Sequence, residues 1–194
     1  MTVEDIIIAH YRRPGLEDAI VAALAATGKN TDHIDPADLS GADEFHLGWR
    51  PATVAFAEAL GFAPGAHVLD IGSGVGGPAR VFAAIHSLRV TGIDLTQDYV
   101  DAANGLTRRC GLADRVSFKQ ANALSMPFAA ASFDGAYTIH VAMNIADKAT
   151  LFAEMNAGCV GRQWFERRSL PLPAALRNAG SGANAAGAGG AACD

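Results

Sequence analysis

Between positions 67 and 80 the chain reads His-Val-Leu-Asp-Ile-Gly-Ser-Gly-Val-Gly-Gly-Pro-Ala-Arg, and positions 90–94 read Val-Thr-Gly-Ile-Asp. An apolar strand delivers an acid, Asp70. A glycine-rich turn follows, then a helix start, and a second short strand delivers another acid, Asp94. Glycine lets the backbone approach a ligand and take angles that a Cβ forbids. The first turn of the following helix offers unpaired N–H groups. A carboxylate at the end of the second strand is placed to accept hydrogen bonds from ribose hydroxyls. The expected product is a nucleoside-binding crevice at the carboxyl ends of parallel strands.

The spacing of Gly72, Gly74 and Gly77 is G-x-G-x-x-G, and Asp94 follows about 20 residues on, which alone reads as a dinucleotide site. Asp70 argues otherwise. A pyrophosphate held at this turn would meet that carboxylate at a repulsion of about 4 kcal/mol per charge pair, for roughly 4 Å and an effective dielectric near 20. S-adenosylmethionine carries no phosphate; its sulfonium and ammonium favour a nearby carboxylate, and backbone N–H groups suit its own carboxylate. Two other readings stay open. An NAD-dependent oxidoreductase keeps the glycine spacing and Asp94, but leaves Asp70 unexplained. A truncated, non-catalytic remnant is the other.

Strand and helix alternate through the middle of the chain. Strands are predicted near 67–71, 89–94, 116–119 and 133–138, and helices near 78–86, 97–109 and 147–156. This pattern gives right-handed βαβ crossovers and a parallel sheet covered on both faces. Upstream, Val3–Tyr11 and Leu16–Thr27 read as short amphipathic helices separated by Pro14-Gly15. Residues 28–40 read as a polar loop with a turn of helix at Pro36–Asp38, and Arg50–Leu60 as a helix ended by Gly61.

Four segments carry a family resemblance. Val68–Arg80 resembles the first signature motif of class I S-adenosylmethionine-dependent methyltransferases, in the form found in the sterol, tocopherol and quinone branch. Val90–Leu95 resembles the second motif, whose acid binds the ribose. Gln120–Phe128 resembles the adenine-contacting segment, with Asn122 where the family usually has Asp. Ser132–His140 resembles the fourth strand, which ends beside the methyl-transfer centre. The resemblance spans about Phe45 to Met155 and implies a Rossmann-like, doubly wound α/β/α fold. It implies S-adenosyl-L-methionine as cofactor and a small-molecule methyl acceptor, lipophilic by analogy with the sterol and quinone enzymes. It implies cofactor contacts from Asp70, Gly72, Ser73, Gly74, Gly76, Asp94, Leu95, Asn122 and Ala123. His140 is the candidate for a base or acceptor-orienting group, with Asn144 one turn further on. Tyr11, His46, Trp49 and Arg50 fall where the family's substrate lid forms, and Trp49 reads as packing.

The organisation expected is a helical lid over residues 1–60, the cofactor-binding core over 61–156, and an irregular tail over 157–194. The family pattern stops in mid-motif after Met155, and a Gly/Ala/Asn-rich run from Asn178 to Ala192 has little to bury. A shifted reading frame or comparable truncation is the expectation, which leaves the sheet incomplete at its C-terminal edge. The coding DNA read in the other two frames checks it. A net charge of −5 gives no general attraction to nucleic acid; the arginines at 162, 167, 168 and 177 lie in the tail. Cys110, Cys159 and Cys193 form no Cys-x-x-Cys pair, which points to a reducing compartment, the cytoplasm. No apolar run has membrane-spanning length, and the six histidines show no metal-ligand spacing.

Overall fold

The computed structural model describes residues 8–44, 46 and 48–160. Expectations for residues 1–7, Phe45 and Leu47, the four tail arginines, Cys193 and the chain after 160 lie outside these residues.

Four parallel strands form the sheet: β1 (His67–Ile71), β2 (Arg89–Asp94), β3 (Val116–Gln120) and β4 (Gly135–Thr138). Their order is β3-β2-β1-β4, with both pairings of β1 and the β2–β3 pairing parallel. The order reverses between β1 and β4, the position at which open α/β sheets bind ligands. β1 shows why the sheet is covered on both faces. Val68 packs into one apolar cluster, with Phe82, Val90, Val116 and Tyr137. Its neighbour Leu69 packs into another, with Ile93, Phe133, Leu151 and Met155. Successive strand residues point to opposite faces, so an unbroken apolar run needs two covered faces.

The first face is covered by α3 (Trp49–Leu60), α4 (Gly77–His86) and α5 (Gln97–Arg109); α6 (Lys148–Gly158) packs on the second. Before these come α1 (Leu16–Ala26), a 3-10 turn at Pro36–Leu39 and the short α2 (Ser40–Asp43). This upstream segment lies on the outer side of α5. Ile20, Leu24, Ile34 and Leu39 enclose Leu106, and Glu17 pairs with Arg109 at 2.9 Å.

The fourth strand begins at Gly135, two residues later than the apolar pattern predicts. Asp134 turns aside to bond the start of β1: its N–H donates to the His67 carbonyl (2.8 Å), and its carboxylate accepts from the His67 N–H (2.8 Å). Phe133 then pairs outward, in a parallel bridge with Cys159. The Phe133 N–H donates to the Gly158 carbonyl (3.0 Å), and the Val160 N–H donates to the Phe133 carbonyl (2.7 Å). Helix α6 thus runs past Met155, and the chain after it reaches the outer side of β4.

One cation joins distant parts of the fold. Arg80, on α4, has no solvent exposure. Its guanidinium donates to the Asp43 carboxylate (2.8 Å), the Val75 carbonyl (2.7 Å), the Thr107 hydroxyl (3.0 Å) and the Ala103 carbonyl (3.3 Å). A buried charge needs this degree of pairing to offset the loss of water.

Candidate functional site

The strand ends, the glycine turn and the upstream segment enclose a cavity of about 660 Å³. From β1 and the turn come Asp70, Gly72, Ser73, Gly74 and Val75; from β2, Ile93, Asp94 and Leu95. The segment after β3 gives Ala121 to Leu124, and the segment after β4 gives Ile139, His140 and Val141.

Backbone bonds fix the turn. The N–H groups of Gly72 and Ser73 both donate to the Ile93 carbonyl, at 2.8 and 2.9 Å, tying the end of β1 to β2. Gly72 has φ of 73°, and a Cβ there would lie 2.4 Å from the Val141 side chain. At Gly74 φ is 53°, and a Cβ would meet nothing within 4 Å. The first glycine is therefore required by close packing. The second leaves bare backbone at open space. Gly76 differs from the other predicted cofactor residues, because it does not line the cavity. A Cβ there would strike the Phe118 ring at 2.4 Å, so its missing side chain serves packing under α4.

Asp70 and Tyr137 are cross-strand partners on one face of the sheet. Asp70 is 2% exposed. Burial pushes its carboxyl up to about 7; the Tyr137 hydroxyl draws it down, and the Asp94 carboxylate adds a smaller upward push. Neither Asp70 Oδ2 nor the Tyr137 hydroxyl has a partner in hydrogen-bonding geometry. Burial also raises the Tyr137 phenol far above its ordinary value, and the Asp70 carboxylate beside it raises it further. A second carboxyl completes the pair. Asp94 Oδ2 accepts from the Gly74 N–H (2.9 Å), and Oδ1 from the Thr96 N–H (2.9 Å). Burial raises its pKa, and the Thr96 and Gly74 N–H groups pull it back. Asp94 thus braces both the glycine turn and the approach to α5, and each oxygen keeps acceptor capacity beyond these bonds.

The remaining predicted residues are also brought together. Leu95, Asn122 and Ala123 line the cavity, and Asn122 shapes its own turn by accepting the Leu124 N–H at 2.8 Å. His140, directly after β4, is exposed with φ of 57°, a left-handed conformation uncommon for a residue with a Cβ. Asn144 also lines the cavity, as do Tyr11 and His46; Trp49 and Arg50 do not. Sequence reasoning missed Asp43 and did not give Tyr99 a site role, yet both line the cavity. Asp43 lies in a polar stretch with no periodicity to mark it. Its place is set by Arg80, 37 positions away.

Among the described residues no group of three or more His, Cys, Asp or Glu is arranged to hold a metal ion. No described helix is long and apolar enough to cross a membrane.

Residues 69–157 match the model of the methyltransferase-domain family. The chain is 46% identical over 83 residues to 24-methylenesterol C-methyltransferase 2 of Oryza sativa, covering 43% of this chain and 23% of that one. It is 38% identical over 91 residues to the O-methyltransferase resE of Aspergillus sclerotiorum, covering 47% and 34%. The chain thus spans about a third or less of these relatives' lengths. Among solved structures it resembles phosphoethanolamine N-methyltransferase 2 of Haemonchus contortus in complex with S-adenosyl-L-methionine. There the TM-score is 0.56 and the identity 28%, over 61% of this chain and 27% of that one.

Proposed function

We propose, from the premise that residues 69–157 are a methyltransferase domain of the class I S-adenosylmethionine-dependent type, that this chain binds S-adenosylmethionine and passes its methyl group to a small-molecule acceptor. One observation carries the reading: a buried carboxyl, Asp70, and a half-buried one, Asp94, flank a glycine-rich turn in a single cavity. Tyr137 eases the Asp70 charge, yet burial still holds the carboxyl up at about 7, which marks a charge that the fold alone does not fully compensate. A cationic ligand supplies that compensation, whereas a diphosphate would worsen the repulsion.

When bound, S-adenosylmethionine supplies a methyl group on a sulfonium leaving group. The chain's residues then have distinct tasks. Asp94 accepts from the ribose hydroxyls. Gly72, Ser73 and Gly74 give backbone a close approach to the amino-acid end, and Asp70 balances its positive charge. Leu95, Asn122 and Ala123 hold the adenine. His140, with Asn144, faces the acceptor. Displacement at an activated methyl needs chiefly alignment and exclusion of water, and positioning of this kind supplies roughly 7–11 kcal/mol of a barrier.

Calorimetric titration with S-adenosylhomocysteine tests the binding half. We expect saturable one-site binding that Asp94→Ala weakens severely, and no displacement by NADH. Unchanged affinity in Asp94→Ala, or tight NADH uptake with indifference to S-adenosylhomocysteine, overturns the reading.

A further inference from the structure

We infer that the acceptor is a compound with an apolar body and no carboxylate or phosphate group, and that Asp147 turns anions away from its end of the cavity. The inference rests on the methyl-transfer reading above and names the substrate class of the same site.

The stretch after β4 builds the wall that carries His140 and Asn144. Around those two polar groups it gives Ile139, Val141, Ile145 and Ala146 to the cavity. This wall stands against the cofactor turn, because the Val141 side chain occupies the space that a Cβ on Gly72 would need. An acceptor brought to a methyl group held over that turn therefore lies along aliphatic carbon. Met143, on the 3-10 turn Ala142–Asn144 of the same stretch, is 72% exposed. Apolar surface thus runs outward from the wall, and burying it favours a ligand in proportion to its own apolar area.

Charge supplies the second half of the argument. Four carboxyls line the cavity, Asp43, Asp70, Asp94 and Asp147, and among the described lining residues there is no Lys or Arg. Asp43 is paired with Arg80, which leaves three. S-adenosylmethionine carries one net positive charge, so the cavity stays anionic once it is seated. Asp147 stands at the acceptor end, directly after Ala146. Its side chain caps α6: Oδ1 accepts from the Thr150 N–H (2.9 Å) and Oδ2 from the Thr150 hydroxyl (2.6 Å). Those two bonds hold its carboxyl below the ordinary value, which keeps it ionised through the neutral range. A helix N-terminus ordinarily offers N–H groups to a phosphate or carboxylate. Here the chain's own carboxylate already stands at that place. An incoming anion meets a like charge instead of donors, and such juxtaposition is a strong means of rejecting a wrong partner.

The experiment loads the chain with S-adenosylhomocysteine at pH 8, above the ordinary titration of histidine. It then titrates three probes: 2-naphthamide, its anionic match 2-naphthoate, and the smaller benzamide. Methyl NMR of Ile139 and Ile145 reads each affinity and reports whether the probe is on the proposed wall. We expect 2-naphthamide to bind at these methyls at least about tenfold more tightly than 2-naphthoate. It should also bind about fivefold more tightly than benzamide, from the added apolar ring. Asp147→Asn keeps a side chain that caps helices as well as Asp does, so the thermal midpoint should hold while the charge is lost. In this variant the preference for the amide over the carboxylate should shrink by several fold. Equal or tighter binding of 2-naphthoate in the parent overturns the inference. So does an undiminished preference in Asp147→Asn, or no response of the Ile139 and Ile145 methyls to 2-naphthamide. Failure of S-adenosylhomocysteine itself to bind refutes the methyl-donor reading beneath, so the two failures are distinct.

Discussion

Shifting the pH from 8 to 6 should weaken binding of S-adenosylhomocysteine by about tenfold through Asp70 alone. With the carboxyl pushed up to about 7 by burial, Asp70 is about nine-tenths ionised at pH 8 and about one-tenth at pH 6. A ligand ammonium favours the ionised form and lowers the carboxyl's pKa on binding. Binding below pH 7 must therefore expel a proton, and each further pH unit costs about 1.4 kcal/mol, or tenfold in affinity. Above pH 7 the contribution levels off. The assay is titration calorimetry at pH 6, 7 and 8, in buffers of unlike ionisation enthalpy, so that released protons are counted directly. Asp70→Asn is the control: it keeps the shape of the neutral carboxyl, removes its titration, and leaves the ligand's own ionisation in both data sets. The difference between parent and variant should change by about tenfold between pH 8 and pH 6. Parallel pH profiles, or no proton release below pH 7, would refute the argument that Asp70 meets a cation. The same displacement acts on folding. The folded state holds this proton to higher pH than the unfolded chain does, so unliganded stability should decline as pH rises from about 4 to about 7, by an amount on the order of several kcal/mol.

Two further predictions concern the scaffold. Gly72→Ala places a Cβ in the left-handed region against Val141, and should cost at least about 1–2 kcal/mol in urea unfolding, whereas a parental midpoint would show that Val141 yields freely. Arg80→Ala strands the Asp43 carboxylate, itself 5% exposed, and should cost about 3–5 kcal/mol; a loss under 1 kcal/mol by chemical denaturation would contradict the role given to the buried pair.

The sheet was legible because its signals are local. Apolar runs ending in acids, glycine turns and 3.6-residue spacing locate β1, β2 and α5 at their observed bounds and α4 to within one residue. The start of β4 was not. Phe133 and Asp134 look like strand residues, but Asp134 satisfies the backbone of His67 and Phe133 turns its bonds towards Cys159. Spacing also cannot say which partner a glycine admits: Gly74 opens onto the cavity and Gly76 onto the Phe118 ring. The acids at the strand ends were visible from position alone. Asp43, and the contacts that join Thr53, Glu44 and His46, were not, because their meaning comes from partners that spacing does not reveal.

The Arg80 guanidinium has a mechanical consequence. By gripping Asp43, the Val75 carbonyl and α5 together, it makes the floor of the cavity and one wall a single rigid block. Asp43 and Val75 both line the cavity, so a ligand meets there a surface already set by three separate parts of the chain before it arrives.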